Sequence, residues 1–184
     1  MILTLIGYRA TGKTTLARLL AERLGCDWID ADVEIERRAG KSIARIFAED
    51  GEPAFRDLEA AVMADLCRRS RLVIAAGGGA PMRRETRDAM RAGGKVVWLV
   101  ARPETILARM TGDATTASRR PALTDRAGLE EILHLLAKRE PIYRQTAHLE
   151  TDTEGKTPEE LVEEILLRLG CLDNPEEVGG QGRA

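Results

Sequence analysis

The sequence predicts an α/β protein with a five-stranded parallel sheet flanked by helices. Short apolar segments alternate with longer segments in which apolar residues recur at helical spacing, a pattern typical of parallel strands joined by helical crossovers. The first apolar run is continuous and stops at a glycine, as expected for a buried central strand. The predicted strands are residues 2–6, 28–30, 72–76, 95–100 and 148–151.

Helix signals lie between these strands in the expected order. Leucines at helical spacing follow the first strand, and Gly25 is a typical helix end. Pro103 indicates a helix start after the fourth strand, whereas Pro141 lies where a leucine-rich helix ends or kinks. Thr157 and Glu160 form a capping-box pattern that opens the last helix.

Two connections are longer than a minimal crossover requires, and they predict functional insertions within one domain at residues 1–170. The first covers about residues 31–66 and has helical spacing, which favours an acceptor-binding insertion. The second, about residues 111–124, has few apolar residues and ends in two arginines, which favours a lid. Residues 171–184 are polar and glycine-rich, as is typical of a disordered tail.

Composition excludes several classes of function. A chain of 184 residues with a formal net charge of −2 and 3% aromatic residues has neither the basic surface nor the stacking side chains of a nucleic-acid-binding protein. No apolar stretch approaches a membrane span, so no membrane partner is expected. Three dispersed cysteines without a secretion signal indicate a reducing cytoplasm, and nothing in the pattern suggests an oligomer, so a monomer is expected.

A phosphate-binding loop follows the first strand. Residues 7–14, GYRATGKT, match the GxxxxGK[ST] pattern between a strand and an amphipathic helix, which is the context this motif requires. The glycines allow backbone N–H groups to approach phosphate oxygens, and the helix N-terminus adds a positive dipole. Lys13 would reach the β- and γ-phosphates, and Thr14 would offer its hydroxyl to Mg²⁺. The residues expected to bind ATP here are Ala10, Thr11, Gly12, Lys13, Thr14 and Thr15.

Two carboxylates mark the end of the second strand. The only asparagine is Asn174, so the guanine-specific motif of ordinary GTPases is absent from the sequence. Among the first four predicted strands, only the second ends in an acidic residue: Asp30 ends it and Asp32 follows closely. One can hold the water shell of a metal, and the other can accept a hydroxyl proton or bind a substrate. A purely structural alternative is that Asp32 caps the following helix.

An acceptor site is indicated by a glycine cluster and by arginines. Gly77, Gly78 and Gly79 follow the third strand directly, and three glycines there allow a ligand to lie against bare backbone. Arg56 and Glu59 lie three residues apart on a helix, as an ordinary surface pair also would. Arg139, near Pro141, is equally compatible with an exposed cation at a helix end.

Taken together, these motifs resemble the shikimate kinase family over about residues 1–169. The matching segments are the phosphate loop, Asp30-Ala31-Asp32, Gly40-Lys41-Ser42-Ile43, Phe55-Arg56 with Glu59, Gly77-Gly78-Gly79-Ala80, Arg120-Pro121, and Lys138-Arg139 with Pro141 and Tyr143. The resemblance implies a P-loop kinase of the nucleoside-monophosphate-kinase type. Its reaction would move the γ-phosphoryl group of ATP to the 3-hydroxyl of shikimate, with Mg²⁺ as the cofactor.

The resemblance also implies a role for each site residue. Thr14 and Asp30 would hold Mg²⁺, and Asp32 would bind substrate hydroxyls and serve as the candidate base. Arg56 and Arg139 would bind the substrate carboxylate, with Glu59 orienting them and the glycine backbone contacting the substrate. Arg120 would close from the lid onto the phosphates. Independently, an acceptor with a carboxylate and hydroxyls suits arginine forks and an acidic acceptor group.

Three features depart from the family pattern. Ala10 stands where glycine is usual, and we expect this methyl to be tolerated only at negative φ. The loop before Arg120 is long, so Arg119 is an alternative lid arginine. Arg109-Met110 replaces the paired arginines that relatives often carry near adenine, and Lys156 is a further candidate for that side.

Other functions remain open at this point. A kinase of the same architecture could act on gluconate or on a nucleoside monophosphate. A non-catalytic ATP-binding module is a second alternative, although such a module need not retain Asp30, Asp32, Arg56, Arg120 and Arg139 together.

Overall fold

A computed structural model describes residues 2–112 and 128–170 of the chain. The proposed lid with Arg119 and Arg120 falls mostly outside these residues, as does the proposed disordered tail. Within the described ranges, no helix has the length and apolar character needed to cross a bilayer.

The described residues form the predicted parallel sheet. Its five strands have the order β2-β3-β1-β4-β5, with every neighbouring pair parallel. Each predicted strand lies within one residue of the observed one at either end. The strands are β1 (Ile2–Ile6), β2 (Asp27–Asp30), β3 (Leu72–Ala75), β4 (Gly94–Val100) and β5 (Leu149–Asp152).

Helices cover both faces of the sheet, and a short 3₁₀ turn spans Ala80–Met82. Leu3 and Leu5 of β1 pack with α1 and α8, whereas Ile2 and Ile6 pack on the opposite face with α2, α4 and α5. This alternation along one strand follows from the two-residue period of the pleat. The helices are α1 (Lys13–Leu24), α2 (Ala31–Ala39), α3 (Ile43–Glu49), α4 (Gly51–Leu66), α5 (Arg84–Gly93), α6 (Pro103–Gly112), α7 (Leu129–Thr146) and α8 (Pro158–Arg168).

Local sequence signals explain several helix ends. Gly25 ends α1 with a left-handed backbone at φ 60°. Thr157 and Glu160 form the complete capping box at the start of α8. Of the two alternatives for Pro141, an end of α7 there was wrong, because this helix continues to Thr146 with the proline inside it. Tyr143 is fully buried beyond the proline, and its packing keeps the last turn in place.

The topology brings the candidate residues to one edge of the sheet. Because all five strands are parallel, their carboxyl ends lie at the same edge, where open α/β sheets bind ligands. The phosphate loop follows β1, Asp30 ends β2 and the three glycines follow β3. Since β1 and β3 are neighbours, the phosphate loop and the glycine cluster start side by side.

Candidate active site

The phosphate loop connects β1 to α1 and requires glycine at its first position. Gly7 has φ 141°, and a Cβ there would lie 2.6 Å from the carbonyl oxygen of Leu99. Gly12 has φ 91° and precedes the first turn of α1. Thr14 and Thr15 are exposed on that first turn. The loop therefore presents the helix N-terminus to solvent at the edge of the sheet.

Lys13 folds back over the loop. Its ammonium donates to the carbonyl oxygens of Gly7 and Tyr8 at 3.0 and 2.6 Å. Thr11 stabilises the same turn, because its hydroxyl donates to the Tyr8 carbonyl at 2.8 Å. The positive charge of Lys13 is thus held above the loop backbone, where a phosphate group would lie.

Ala10 overturns the expectation about its backbone. Its φ is 61°, so the methyl is accommodated in the left-handed region and not at negative φ. That conformation costs about 1–2 kcal/mol for a residue with a side chain. Contacts on either side hold the segment: Arg9 pairs with Glu131 of α7 at 3.0 Å, and Arg109 donates to the Ala10 carbonyl at 3.5 Å.

Asp30 has two roles at the end of β2. It accepts a hydrogen bond from the Thr14 hydroxyl at 2.7 Å, and it caps α2 by accepting from the Asp32 backbone N–H at 3.0 Å. The helix cap is therefore Asp30, and the alternative that Asp32 serves only as a cap was wrong. The half-buried Asp32 carboxylate stands in the first turn of α2, next to the candidate metal ligands.

Arg56 is held by carboxylates on its own helix. It donates to the buried Glu59 at 2.7 Å and to the more exposed Glu52 at 3.1 Å. It also lies over the ring of Phe55, with 5.1 Å between the guanidinium carbon and the ring centre. Burial raises the pKa of Glu59. This rise is opposed by nearby positive charges, which in order of decreasing effect are Arg56, Arg139 and Arg83. Arg56 and Glu59 are thus joined in a largely buried ion pair.

The glycine cluster lies against both arginines. A Cβ on Gly79 would lie 2.3 Å from an Arg56 nitrogen, so only glycine admits this guanidinium. A Cβ on Gly78 would lie 3.3 Å from the Gly7 carbonyl oxygen and 3.6 Å from an Arg139 nitrogen. These distances bring Arg56, Arg139 and the start of the phosphate loop around one stretch of bare backbone.

Arg139 is a buried cation rather than an exposed helix-end residue. It is 8% exposed, and it forms no ion pair or hydrogen bond within the described ranges. Its guanidinium lies 5.7 Å from the centre of the Tyr8 ring. Glu59 interacts with Arg139 electrostatically, but no described carboxylate forms an ion pair with it, and a desolvated cation without such a partner favours binding of an anion.

Two site residues were missed by sequence reasoning. The hydroxyl of Tyr143 donates to the Gly78 carbonyl at 2.6 Å, although the sequence placed Tyr143 only within a motif. Its spacing of four residues from Arg139 was the signal that could have found it. Arg109 reaches Thr153 at 3.2 Å as well as Ala10, and so it lies between the phosphate loop and the end of β5.

Lys156 forms an ion pair with the last helix. Its ammonium pairs with Glu164 of α8 at 2.5 Å, and no contact with the phosphate loop is among its described interactions. Arg109, unlike Lys156, contacts the phosphate loop, whereas Arg119 and Arg120 lie outside the described residues. The assignment of a lid arginine stays a prediction.

Comparison with known sequences supports the motif analysis. The family model for shikimate kinase matches residues 9–170. A shikimate kinase of Rhodopirellula baltica is 46% identical over 164 residues, covering 89% of this chain and 88% of the relative. Another shikimate kinase, from Pseudomonas savastanoi pv. phaseolicola, is 44% identical over 170 residues and covers 92% and 96% of the two chains.

Solved structures give the same result. A shikimate kinase from Acinetobacter baumannii in complex with shikimate is 35% identical, has a TM-score of 0.86 and covers 94% of this chain and 95% of that one. A gluconokinase from Sinorhizobium meliloti is 15% identical with a TM-score of 0.56 over 97% of each chain, which shows a common fold alone. The fold is thus that of P-loop kinases of the nucleoside-monophosphate-kinase type, and the chain belongs to the shikimate kinase family.

Proposed function

We propose that this protein transfers the γ-phosphoryl group of ATP to the 3-hydroxyl of shikimate. The observation that carries the proposal is the buried guanidinium of Arg139, which has no ion pair or hydrogen bond among the described residues and lies beside Gly78, next to the phosphate loop. A carboxylate-bearing acceptor would supply the missing anion there. The family membership and the shikimate-bound relative support this choice of acceptor.

The ATP site is assigned to the phosphate loop and its surroundings. Backbone groups from Ala10 to Thr15 would bind the phosphates, and Lys13 would exchange its carbonyl partners for phosphate oxygens. Arg109 would lie beside the adenine, with Lys156 as the earlier candidate. Arg120 is proposed to neutralise charge on the transferred group, because an arginine suits planar contact with phosphate oxygens.

Mg²⁺ fits the donors at the end of β2. The Thr14 hydroxyl and the Asp30 carboxylate are 2.7 Å apart, and hard oxygen donors suit this ion. Within residues 2–112 and 128–170 no group of three acidic, histidine or cysteine side chains could hold a metal. Phosphate oxygens and water would therefore provide the remaining ligands. When bound, the ion supplies charge neutralisation for the transferred phosphoryl group.

The acceptor site is assigned to the residues around the glycine cluster. Arg56 and Arg139 would bind the carboxylate, and Glu59 would keep Arg56 oriented. The backbone N–H groups of Gly78 and Gly79 have no hydrogen-bond acceptor in the described residues, and with Gly77 they would contact the acceptor.

The chain contributes to the reaction by positioning the two substrates and by supplying one proton acceptor, the carboxylate of Asp32. The acceptor hydroxyl oxygen forms a bond to the γ-phosphorus, and the bond from that phosphorus to the bridging oxygen of ADP breaks. ADP leaves with the electron pair of that bond, and Asp32 accepts the hydroxyl proton. Lys13 would stabilise charge that grows on the phosphoryl oxygens.

A coupled assay of ADP release tests the proposal. Purified protein with Mg²⁺ and ATP is expected to show saturable turnover with shikimate, and none with gluconate or nucleoside monophosphates. Asp32→Asn is expected to retain ATP binding and lose at least about 10²-fold in kcat, the usual contribution of a general base. Saturation by gluconate or by a nucleotide, with no response to shikimate, would refute the acceptor assignment.

Four further expectations accompany the proposal. The chain is proposed to act as a monomer in the cytoplasm, with residues 31–66 as the acceptor-binding insertion and residues 111–124 as the lid. Sedimentation velocity would test the first point, because a dimer would sediment distinctly faster than a 20.2 kDa particle.

A further inference from the structure

The glycine cluster after β3 has no side chains with which to fix its own orientation. Its carbonyl oxygens at Gly77 and Gly79 accept from the turn that follows, at 3.0 and 2.9 Å. The Gly78 carbonyl instead points to α7, where the Tyr143 hydroxyl donates to it at 2.6 Å. This buried bond therefore fixes the middle of the cluster from outside it.

A fixed Gly78 carbonyl also fixes the next N–H group. The carbonyl of Gly78 and the N–H of Gly79 belong to one planar trans peptide and point in opposite directions. Holding the oxygen toward α7 therefore aims the Gly79 N–H away from that helix. No described residue accepts from this N–H, which leaves it available to a ligand.

Tyr143 is itself rigidly placed. Its side chain is fully buried and its ring packs against Trp98 of β4, with 5.8 Å between ring centres. Trp98 pairs in the sheet with Ile6, the residue directly before the phosphate loop. Arg139 lies one helical turn before Tyr143, on the same face of α7. One helix face thus carries both the buried Arg139 cation and the hydroxyl that holds the glycine peptide.

We propose that Tyr143 is a positioning residue for the acceptor: by holding the Gly78 carbonyl, it keeps the Gly78–Gly79 peptide in register with Arg139. The inference rests on the proposed function, because it assigns the acceptor to this site. Tyr143 touches neither ATP nor the acceptor in this account, and it acts through the backbone of Gly78.

The test is Tyr143→Phe, which removes the hydroxyl and keeps the ring. The KM for shikimate is expected to rise about five- to tenfold, the effect of losing one buried hydrogen bond, with the KM for ATP within about twofold of the parent. Thr146→Val is the matched control. The Thr146 hydroxyl lies on the same helix and donates at 2.6 Å to the Ile142 carbonyl, away from the glycine cluster. This control is expected to leave both KM values unchanged.

A second variant keeps the proposal testable if Tyr143→Phe folds poorly. Trp98→Phe loosens the packing behind Tyr143 and is expected to raise the shikimate KM by a smaller factor, again without affecting ATP. Equal rises in both KM values, or a lower melting temperature with an unchanged shikimate KM, would show a merely structural role and overturn the proposal. Absence of shikimate turnover in the parent protein would instead refute the proposed function, and the Tyr143 assignment with it.

Discussion

Replacing Gly79 with alanine is expected to weaken acceptor binding by displacing a single side chain. The new methyl carbon would lie 2.3, 2.8 and 2.9 Å from three atoms of the Arg56 guanidinium. Favourable contacts begin near 3.5 Å, so this overlap must be relieved. Because the guanidinium is the end of a flexible side chain, Arg56 moves and the backbone of the glycine cluster stays in place.

The expected loss follows from the contact that Arg56 would no longer make. A hydrogen bond to a charged group contributes about 1.5–3 kcal/mol, and each 1.4 kcal/mol corresponds to a factor of ten. The KM for shikimate is therefore expected to rise about 10- to 150-fold, while the KM for ATP stays within about twofold. Steady-state ADP release at varied shikimate concentration measures both constants, and a thermal melt checks that the variant is folded.

A double-mutant cycle provides the control. All three of the nearest atoms to the added methyl belong to Arg56, so Gly79→Ala should have little further effect once Arg56→Ala has removed them. Two results would refute the reasoning. One is a single variant that binds shikimate as the parent does. The other is an alanine effect that is equally large in the Arg56→Ala background.

Three further predictions concern stability. Ala10→Gly should stabilise the fold by about 0.5–1 kcal/mol in urea unfolding, because relief of left-handed strain exceeds the entropy cost of glycine. A loss of stability would show that the backbone of Ala10 is not strained. Glu131→Ala should destabilise by about 3–5 kcal/mol by leaving Arg9 buried without its partner, and additivity with Arg9→Ala would argue against coupling of the pair. Partial desolvation, with smaller effects of Arg91 and Lys95, lowers the pKa of the exposed His148 from 6.5, and its Nδ1 accepts from the Val96 backbone N–H at 3.0 Å. The unfolded chain therefore binds a proton at His148 at a higher pH than the folded chain does, so the free energy of unfolding should fall as pH drops below 6.5. His148→Asn should reduce this dependence of stability on pH. An unchanged dependence in the variant would exclude the histidine as its source.

Local patterns predicted the strands and the phosphate loop because their signals lie in neighbouring residues. A run such as residues 2–6 is apolar on both faces, and only a central buried strand requires that. The capping box at Thr157 likewise depends on residues three apart. These features were confirmed to within one residue because their signals lie in neighbouring residues, although the strands themselves pair with segments distant in sequence.

The remaining features depend on contacts between distant segments. Arg139 has the sequence context of an exposed helix-end cation, and only the docking of α7 against Tyr8 makes it buried. The left-handed backbone of Ala10 is maintained by partners on α6 and α7, about 100 or more residues away in sequence. Residue spacing contains no information on such contacts, so the sequence predicted neither the burial of Arg139 nor the backbone conformation of Ala10.

The buried charge of Arg139 on α7 has opposite effects on two properties: it would favour binding of an anion, and it lowers the stability of the folded protein. Filling the position of Arg139 with an uncharged side chain of similar shape, such as methionine, would remove the desolvation penalty and leave a more heat-resistant but inactive molecule. Conversely, small carboxylates that reach the guanidinium should protect the folded chain against heat in proportion to their affinity. A selection for thermal stability alone would therefore discard the residue that we propose binds the acceptor carboxylate.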